Sequence, residues 1–534
     1  MALVERLRRG GETRTLAVPI SARLLSDQLT PVLAYRRLVT PDERTAPSFL
    51  FESVEGGERQ GRYSILGSRP ALEVIVHDDD GGVQRVEIVD HREHPELAEA
   101  FEDDAGSDNP LMIPRAISRR FRHVVPEPVS PRDRLPASFL GGWVGYAAYD
   151  SVRYAEPGKL PFASTPRDDR GLPTVHFAFY DGVVVFDHVD TVVHVVQTAF
   201  VGPVDDPGEA YVRAASTLEA RVEEVQRQRT PPPAGRLGDD APPAPLPSNL
   251  TREQHAAMVE KAKGYIRAGD IFQVVLGQRF ERVSAADPFD VYRALRAVNP
   301  SPYMGYLQAH GCILVASSPE ILCRVRREGD GLAVTNRPLA GTRRRGATPG
   351  EDRDLERELL ADPKERAEHI MLVDLGRNDV GVVARPGTVS LPAVMEVERY
   401  SHVMHISSTV TGVLREGLDC WDALKAALPV GTISGAPKVR AMQIIDELEP
   451  LRRGPYGGGF GFVGLDGQMD IALALRTIVV PTALHDAGGW TYHLQASGGI
   501  VADSDPGAEY QETVNKAAAL ARAIDVAESA FGAG

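Results

Sequence analysis

Hydrophobic and polar positions along this chain follow two periods, and the change between them divides it. In the first part the alternation is mostly of period two, the signature of half-buried strands. Ser48 to Ser53 (SFLFES), Arg62 to Leu66 and Ala71 to His77 predict strands, separated by turns at Gly56-Gly57 and at Asp78 to Gly82. Thr174 to Asp187 and Thr191 to Phe200 alternate as the arms of a β-hairpin. Ser138 to Asp150 (SFLGGWVGYAAYD) mixes glycine with aromatics, as where a strand backbone approaches a neighbour closely. Helices are predicted within Leu24 to Val39, within the acidic stretch Asp90 to Asp108, and over Pro207 to Arg229, whereas residues 1 to about 20 suggest a loose arm.

Thr230 to Ser248 (TPPPAGRLGDDAPPAPLPS) is too rich in proline to build a core and predicts a linker or exposed loop. Beyond it helical periodicity is stronger. Thr251 followed by Gln254 is a capping box opening a helix that ends near Gly269. Ile271 to Glu281 predicts a strand and 288–298 a helix. Two prolines stiffen the turn Asn299-Pro-Ser-Pro-Tyr-Met304, and strands follow at Gly305 to Gln308, Ile313 to Ser317 and Ile321 to Arg326. A long charged helix is expected over about 351–370. The expected organisation is an N-terminal part (1–229), a proline-rich connection (230–248) and a C-terminal part (249–534), the two parts interleaved.

A net charge of -15 argues against nucleic acid or an anionic membrane as partner, because both select basic surfaces. A local arginine cluster can still receive an anionic small molecule. Three widely spaced cysteines (Cys312, Cys323, Cys420) provide neither a disulfide framework nor a CxxC metal site, which fits a reducing cytoplasm. The first residues lack the apolar run of a secretory signal, and no stretch is long and apolar enough to span a membrane.

The candidate chemistry is acidic. Glu365 and Glu368 lie three apart in ADPKERAEHIMLVDLGRND, and Glu509 and Glu512 three apart in SDPGAEYQETVNK. On a helix each pair shares a face. If the pairs converged, repulsion would raise their pKa values unless a hard cation such as Mg²⁺ compensated it. Spacing alone favours the plainer reading of two solvated acidic faces. NRPLAGTRRRG (336–346) offers backbone and hydroxyl donors beside arginines. GTISGAPK (431–438) fails the phosphate-loop pattern, since Gly435 precedes Ala436 and Lys438 precedes Val439. His402 and His405 sit on a β-branched run and point to opposite faces, so only one can serve a given site. Glu320 in SSPE places a carboxylate where a strand turns.

Taken in order, GDIFQVVLGQRF, NPSPYMGYL, ASSPEIL, RPLAGTRRRG, DPKERAEHIMLVDLGRNDVG, HVMHI, GTISGAPK, RGPYGGGFGFV, ALALRTIVV and GGIVADSDPGAEYQETVNKA closely resemble the chorismate-utilising enzymes, and among them the anthranilate-forming branch. FLFESVEGG, GRYSILGSRP and FLGGWVGYAAYD extend the resemblance into the first part. It implies an α+β fold of two large antiparallel sheets packed as a sandwich with helices outside. It also implies Mg²⁺ held by Glu368 and Glu512, with Glu365 and Glu509 behind through water. Gly341, Thr342, Tyr456, Arg476, Ser497, Gly498, Gly499 and Lys516 match substrate-carboxylate contacts, Arg476 as a bidentate clamp. Glu320 matches the acid that protonates a departing hydroxyl, and His405 the histidine needed to eliminate pyruvate, with Thr432 in the same pocket.

Two positions separate sister activities. Water-adding relatives resemble one another in a lysine base where this chain has Gln273; the aminodeoxychorismate branch carries PIKGT where this chain reads Pro338-Leu-Ala-Gly-Thr342. Ammonia needs neither lysine. The usual GAG before the last helix is Ser497-Gly498-Gly499 here. Ser53, with Pro302, Tyr303 and Met304, matches a tryptophan-feedback site. The resemblance thus implies conversion of chorismate and ammonia to anthranilate and pyruvate, inhibited by tryptophan. A glutamine amidotransferase subunit would supply the ammonia, in an assembly of two large and two small chains. An isochorismate or salicylate synthase, a chain that stops at the aminated intermediate, and a catalytically silent tryptophan sensor are the other readings.

Overall fold

The computed structural model describes every residue except 1, 41–43, 56–58, 79–83, 92–108, 129, 131–133, 229–230, 232, 237–242, 330, 401–402 and 532–534. The Gly56-Gly57 turn, the tip of the Asp78 to Gly82 turn, the helix expected within Asp90 to Asp108, and His402 lie outside the described residues.

Two sheets form the body. In the first, Gln273–Ser284, Trp490–Ile500, Thr477–Pro481, Cys312–Ser318 and Tyr303–Ala309 continue sideways into Ser48–Glu52, Tyr63–Ser68, Gly182–Asp187, Val192–Val201 and Thr15–Leu25. In the second, Leu339–Arg344, Val403–Val413, Gly331–Asn336, Ile321–Glu328, Met469–Leu473 and Gly459–Gly464 continue into Gly142–Ala147, Val175–Tyr180, Leu72–Asp78 and Gln84–Asp90. Each sheet therefore runs unbroken from strands after residue 249 to strands before residue 229. The seams are Met304 facing Glu52 in one sheet and Phe460 facing Tyr146 in the other. Apart from Thr15–Leu25 against Phe121–His123, the strand pairs of these sheets are antiparallel.

The alternation read from the sequence places one row of side chains between the sheets. Phe49, Ile65, Val183, Leu307 and Leu314 from the first sheet pack against Val144, Tyr146, Ala178, Tyr180 and Phe460 from the second. The rings of Phe49 and Tyr180 meet edge-on at 4.8 Å. A β-carbon on Gly305 would lie 2.8 Å from the Phe460 ring, so glycine sets how closely the sheets approach. Helices Pro31–Leu38, Pro207–Gln226, Pro288–Val298 and Pro506–Phe531 cover the outer face of the first sheet, burying Tyr35, Leu218, Tyr292 and Leu520. Pro363–Val383 and Cys420–Ala427 pack on the second through Val373, Val380, Trp421 and Leu424. Each such side chain removed from water contributes about 1.5–3 kcal/mol. No described helix is long and apolar enough to cross a membrane.

Three local expectations change. Residues 1 to 20 are not a loose arm: Ala2–Arg9 is helical, and Thr15–Leu25 pairs with Val192–Val201 from Leu16 to Leu25. Val4 packs with Leu16, Val201 and Ala210, so distant partners order a segment whose own pattern is weak. The stretch from Thr174 to Phe200 holds three strands, because Asp181 interrupts the first arm between Val175–Tyr180 and Gly182–Asp187. The long charged helix is two, Pro349–Ala361 and Pro363–Val383. Proline has no amide hydrogen and disfavours helical backbone in the residue before it. Asp362 accordingly leaves the first helix and caps the second, accepting from the amides of Lys364 and Glu365. The capping box at Thr251 and the helix over 288–298 form as read.

Candidate active site

That cap fixes the position of the acidic pair: Glu365 and Glu368 occupy the first two turns of the Pro363–Val383 helix. Glu509 and Glu512 occupy the corresponding turns of Pro506–Phe531. The end of strand Trp490–Ile500 lies between them. A β-carbon on Gly498 would stand 3.0 Å from Glu509 Oε2 and 4.0 Å from Glu512 Oε1; one on Gly499 would stand 3.7 Å from Glu368 Oε1. Glu365 Oε2 lies 3.2 Å from the same point built on Gly341. The two pairs meet over a bare stretch of backbone.

Electrostatics agrees with that convergence. Burial pushes the Glu368 carboxyl up, and the charges of Glu365 on its own helix and Glu512 on the other add to the rise. Glu509 is raised by burial and by Glu512. Protein donors offset part of the repulsion: Lys516 Nζ is 2.7 Å from Glu512 Oε1, Arg343 Nη1 3.4 Å from Glu365 Oε1, and Gln273 Nε2 donates to Glu368 Oε1 at 3.2 Å. Among the described residues no three or more His, Cys, Asp or Glu side chains form a closed metal cage. Hard carboxylate oxygens on two helices with an open side still fit Mg²⁺, which takes one or two protein carboxylates and fills its octahedron with water and substrate oxygens.

Two further groups of the expected site are Glu320 and His405. Glu320 is 4% exposed, and burial pushes its carboxyl up to about 8; Thr432 Oγ1 donates to its Oε1 at 3.0 Å. His405 Nδ1 lies 3.0 Å from the Gly341 carbonyl and 3.1 Å from Thr342 Oγ1. A carbonyl only accepts, so Nδ1 carries the hydrogen and Nε2 keeps a lone pair. That Nε2 is buried without a partner among the described residues. Burial and the charges of Arg476 and Lys516 hold the imidazole down at about 4, so it stays neutral. The aligned pair Ala340 and Ile406 marks how strand Leu339–Arg344 carries Gly341 and Thr342 past His405.

The remaining expected contacts gather at the same place. Arg476, whose own pKa burial lowers, makes no ion pair among the described residues and has a φ of 45°. Left-handed backbone in a non-glycine residue is a form of strain that clusters at functional sites. Tyr456 donates to Ser497 Oγ at 2.9 Å, and Lys516 Nζ to the Ser497 carbonyl at 2.9 Å. Ser497 fits because Gly277 faces it across the ladder; a β-carbon at Gly277 would collide with Ser497 Oγ. Sequence reasoning missed the buried ion pair Arg453–Glu449 and the pair Lys438–Asp379 (2.7 Å), which ties the GTISGAPK turn to the LGRND helix. Arg453 and Lys438 stand in recognisable motifs, but nothing in their spacing says they are buried.

Beside this site lies a cavity of about 880 Å³. Ser53, Pro302, Tyr303 and Met304 line it together, brought side by side by the pairing of Ser48–Glu52 with Tyr303–Ala309. Its far wall includes Pro319, Leu339 and Tyr400, residues next to Glu320 and His405: the Tyr400 ring meets His405 edge-on at 5.6 Å.

An acid, a neutral histidine, a free arginine and a carboxylate cluster on this double sheet define an enzyme for a small polyanion. The chorismate binding enzyme family matches residues 49–522, and the chain belongs to it. Anthranilate synthase alpha subunit 1, chloroplastic, of Arabidopsis thaliana is 54% identical over 535 residues, covering 97% of this chain and 87% of that one. Its counterpart in Oryza sativa subsp. indica is 52% identical, covering 96% and 89%. The crystal structure of anthranilate synthase component I from Streptococcus pneumoniae TIGR4 superposes with a TM-score of 0.66 at 34% identity, covering 94% of this chain and 99% of that one. Within the family, this chain stands with the anthranilate synthase large subunits.

Proposed function

We propose that this chain catalyses the Mg²⁺-dependent conversion of chorismate and ammonia to anthranilate and pyruvate, the first step of tryptophan biosynthesis. The observation that carries the reading is the meeting of Glu368 and Glu512 from two helices, together with a Glu320 that burial keeps protonated. Glu368 and Glu512 would hold Mg²⁺, with Glu365 and Glu509 supporting through water; the ion supplies charge neutralisation for the ring carboxylate. Arg476, Lys516, Tyr456 and the backbone of Gly341, Gly498 and Gly499 orient the substrate's carboxylates, with Thr342 and Ser497 alongside. Glu320, kept protonated by burial, gives its proton to the departing hydroxyl, with Thr432 fixing the carboxyl. His405 presents a neutral Nε2 suited to the proton movement that accompanies loss of pyruvate. Gln273 touches Glu368 where water-adding relatives carry a lysine base, which supports ammonia over water as nucleophile.

Ammonia is nucleophilic only when neutral, so delivery from a glutamine amidotransferase subunit fits the reading; we assign two large and two small chains to the assembly. Residues 1–229 and 249–534 act as two contributions to one pair of sheets, joined through 230–248. Three free, buried cysteines support a cytoplasmic setting. Purified protein given chorismate, Mg²⁺ and ammonium at alkaline pH is expected to form fluorescent anthranilate; a folded sample that forms none overturns the assignment.

Tryptophan is the proposed occupant of the cavity at Ser53, and inhibition follows if it favours an arrangement with the shared wall displaced. Loss of one hydrogen bond is worth about 0.5–1.5 kcal/mol, so Ser53→Ala is expected to raise the inhibitory tryptophan concentration about three- to tenfold, with uninhibited kcat unchanged. An unchanged inhibition curve removes Ser53 from the site.

A further inference from the structure

The pair Arg453–Glu449 is a buried, multiply hydrogen-bonded ion pair outside the chemistry described above. Both side chains are 2% exposed. Arg453 Nε and Nη2 donate to Glu449 Oε2 and Oε1 at 2.9 and 2.6 Å. Nη1 donates to the Ile433 carbonyl at 2.7 Å, and Nη2 to the Val275 carbonyl at 2.7 Å. Glu449 Oε1 also accepts the Gly277 amide at 2.9 Å, and the guanidinium lies over the Tyr149 ring at 4.7 Å.

Two segments of the site, the Gly431–Ser434 turn and the strand Gln273–Ser284, meet at this one ion pair. Ile433 follows Thr432, whose hydroxyl holds Glu320. Val275 is two residues from Gln273, which holds Glu368. Gly277 faces Ser497, the acceptor for Tyr456. A buried ion pair is poor value for stability, since well-packed apolar residues of similar volume often serve a fold as well or better. Its geometry does something apolar residues cannot: it holds the Ile433 carbonyl of the turn in fixed relation to the Val275 carbonyl and Gly277 amide of the strand.

We propose that Arg453, braced by Glu449, is a positioning residue that holds the Gly431–Ser434 turn so that the Thr432 hydroxyl meets Glu320. Lysine at 453 keeps the charge but cannot bridge Ile433, Val275 and both oxygens of Glu449 at once. The proposal rests on Glu320 being the proton donor.

A double-variant cycle on anthranilate formation tests it. Thr432→Val and Arg453→Lys are each expected to lower kcat about tenfold, with the KM for chorismate within about twofold. If Arg453 acts through Thr432, the combined variant also falls about tenfold. Independent effects would multiply to about a hundredfold and overturn the proposal. Both single variants should also move the alkaline limb of kcat in the same direction, which a merely structural loss would not. Should R453K fail to fold, Glu449→Gln is read in the same way, and loss of fold in both assigns the pair to stability and overturns the proposal. A fully active Glu320→Gln overturns the proton-donor reading instead, whereas a response to T432V without one to R453K overturns only the positioning role.

Discussion

Glu320→Gln is expected to lower kcat for anthranilate formation by about 10³-fold, with the KM for chorismate nearly unchanged, because the general acid catalysis proposed for it contributes about 10²–10⁴-fold and amide for carboxyl preserves shape. The physical basis is the burial that pushes the carboxyl up to about 8, keeping it protonated at neutral pH. With ammonia delivered from glutamine, wild-type kcat should fall as pH rises through about 8, and the variant should lose that limb. Free ammonium is the wrong nitrogen source for this measurement, since its neutral fraction rises over the same range.

The same substitution has a readout independent of turnover. The folded pKa of Glu320 lies above its ordinary value of 4.5, so the folded state binds the extra proton. The stability this supplies is complete below 4.5 and is lost as pH rises through about 8, at about 1.4 kcal/mol per pH unit. Glutamine does not titrate. Denaturant midpoints at pH 6 and pH 8 should therefore differ less in Glu320→Gln than in the wild type; equal differences would show that the carboxyl is not the buried acid described.

If Glu512 binds Mg²⁺ directly as proposed, Glu512→Gln is expected to weaken Mg²⁺ binding by on the order of 10²-fold or more and to remove turnover at millimolar Mg²⁺, since a directly bound carboxylate outweighs supporting groups worth about 10–100-fold. It also leaves Lys516 without the carboxylate now 2.7 Å away. Calorimetric titration with Mg²⁺ reads the metal directly, and tryptophan binding should be retained because the cavity at Ser53 contains neither Glu512 nor Lys516. Glu365→Gln should cost only about tenfold, as expected of a group acting through water. Mg²⁺ affinity unchanged in Glu512→Gln would dismantle the cluster as a cation site.

Much of this was legible in the chain. The helix Pro288–Val298 and the capping box at Thr251 depend on neighbours within a turn, so their residues suffice. The i,i+3 spacing of Glu365 with Glu368 and of Glu509 with Glu512 likewise places each pair on one face. The break at Pro363 was also local and was missed only because the charge pattern runs through it. Strand Thr15–Leu25 is different: its order comes from Val192–Val201, far along the chain, and its own alternation is too irregular to show it.

By itself, then, the sequence determined the local elements, the two carboxylate pairs, and the motif order that marks the family, because these rest on spacing along the backbone. Only the tertiary structure decided that the pairs face each other across Gly498 and Gly499. It also decided that His405 turns Nε2 inward, that Ser53 joins Tyr303 in one cavity, and that Arg453 and Glu449 are buried together. Each of those facts depends on strands and helices distant in sequence sharing one sheet or one face, and on the burial that results, which spacing along the chain does not encode.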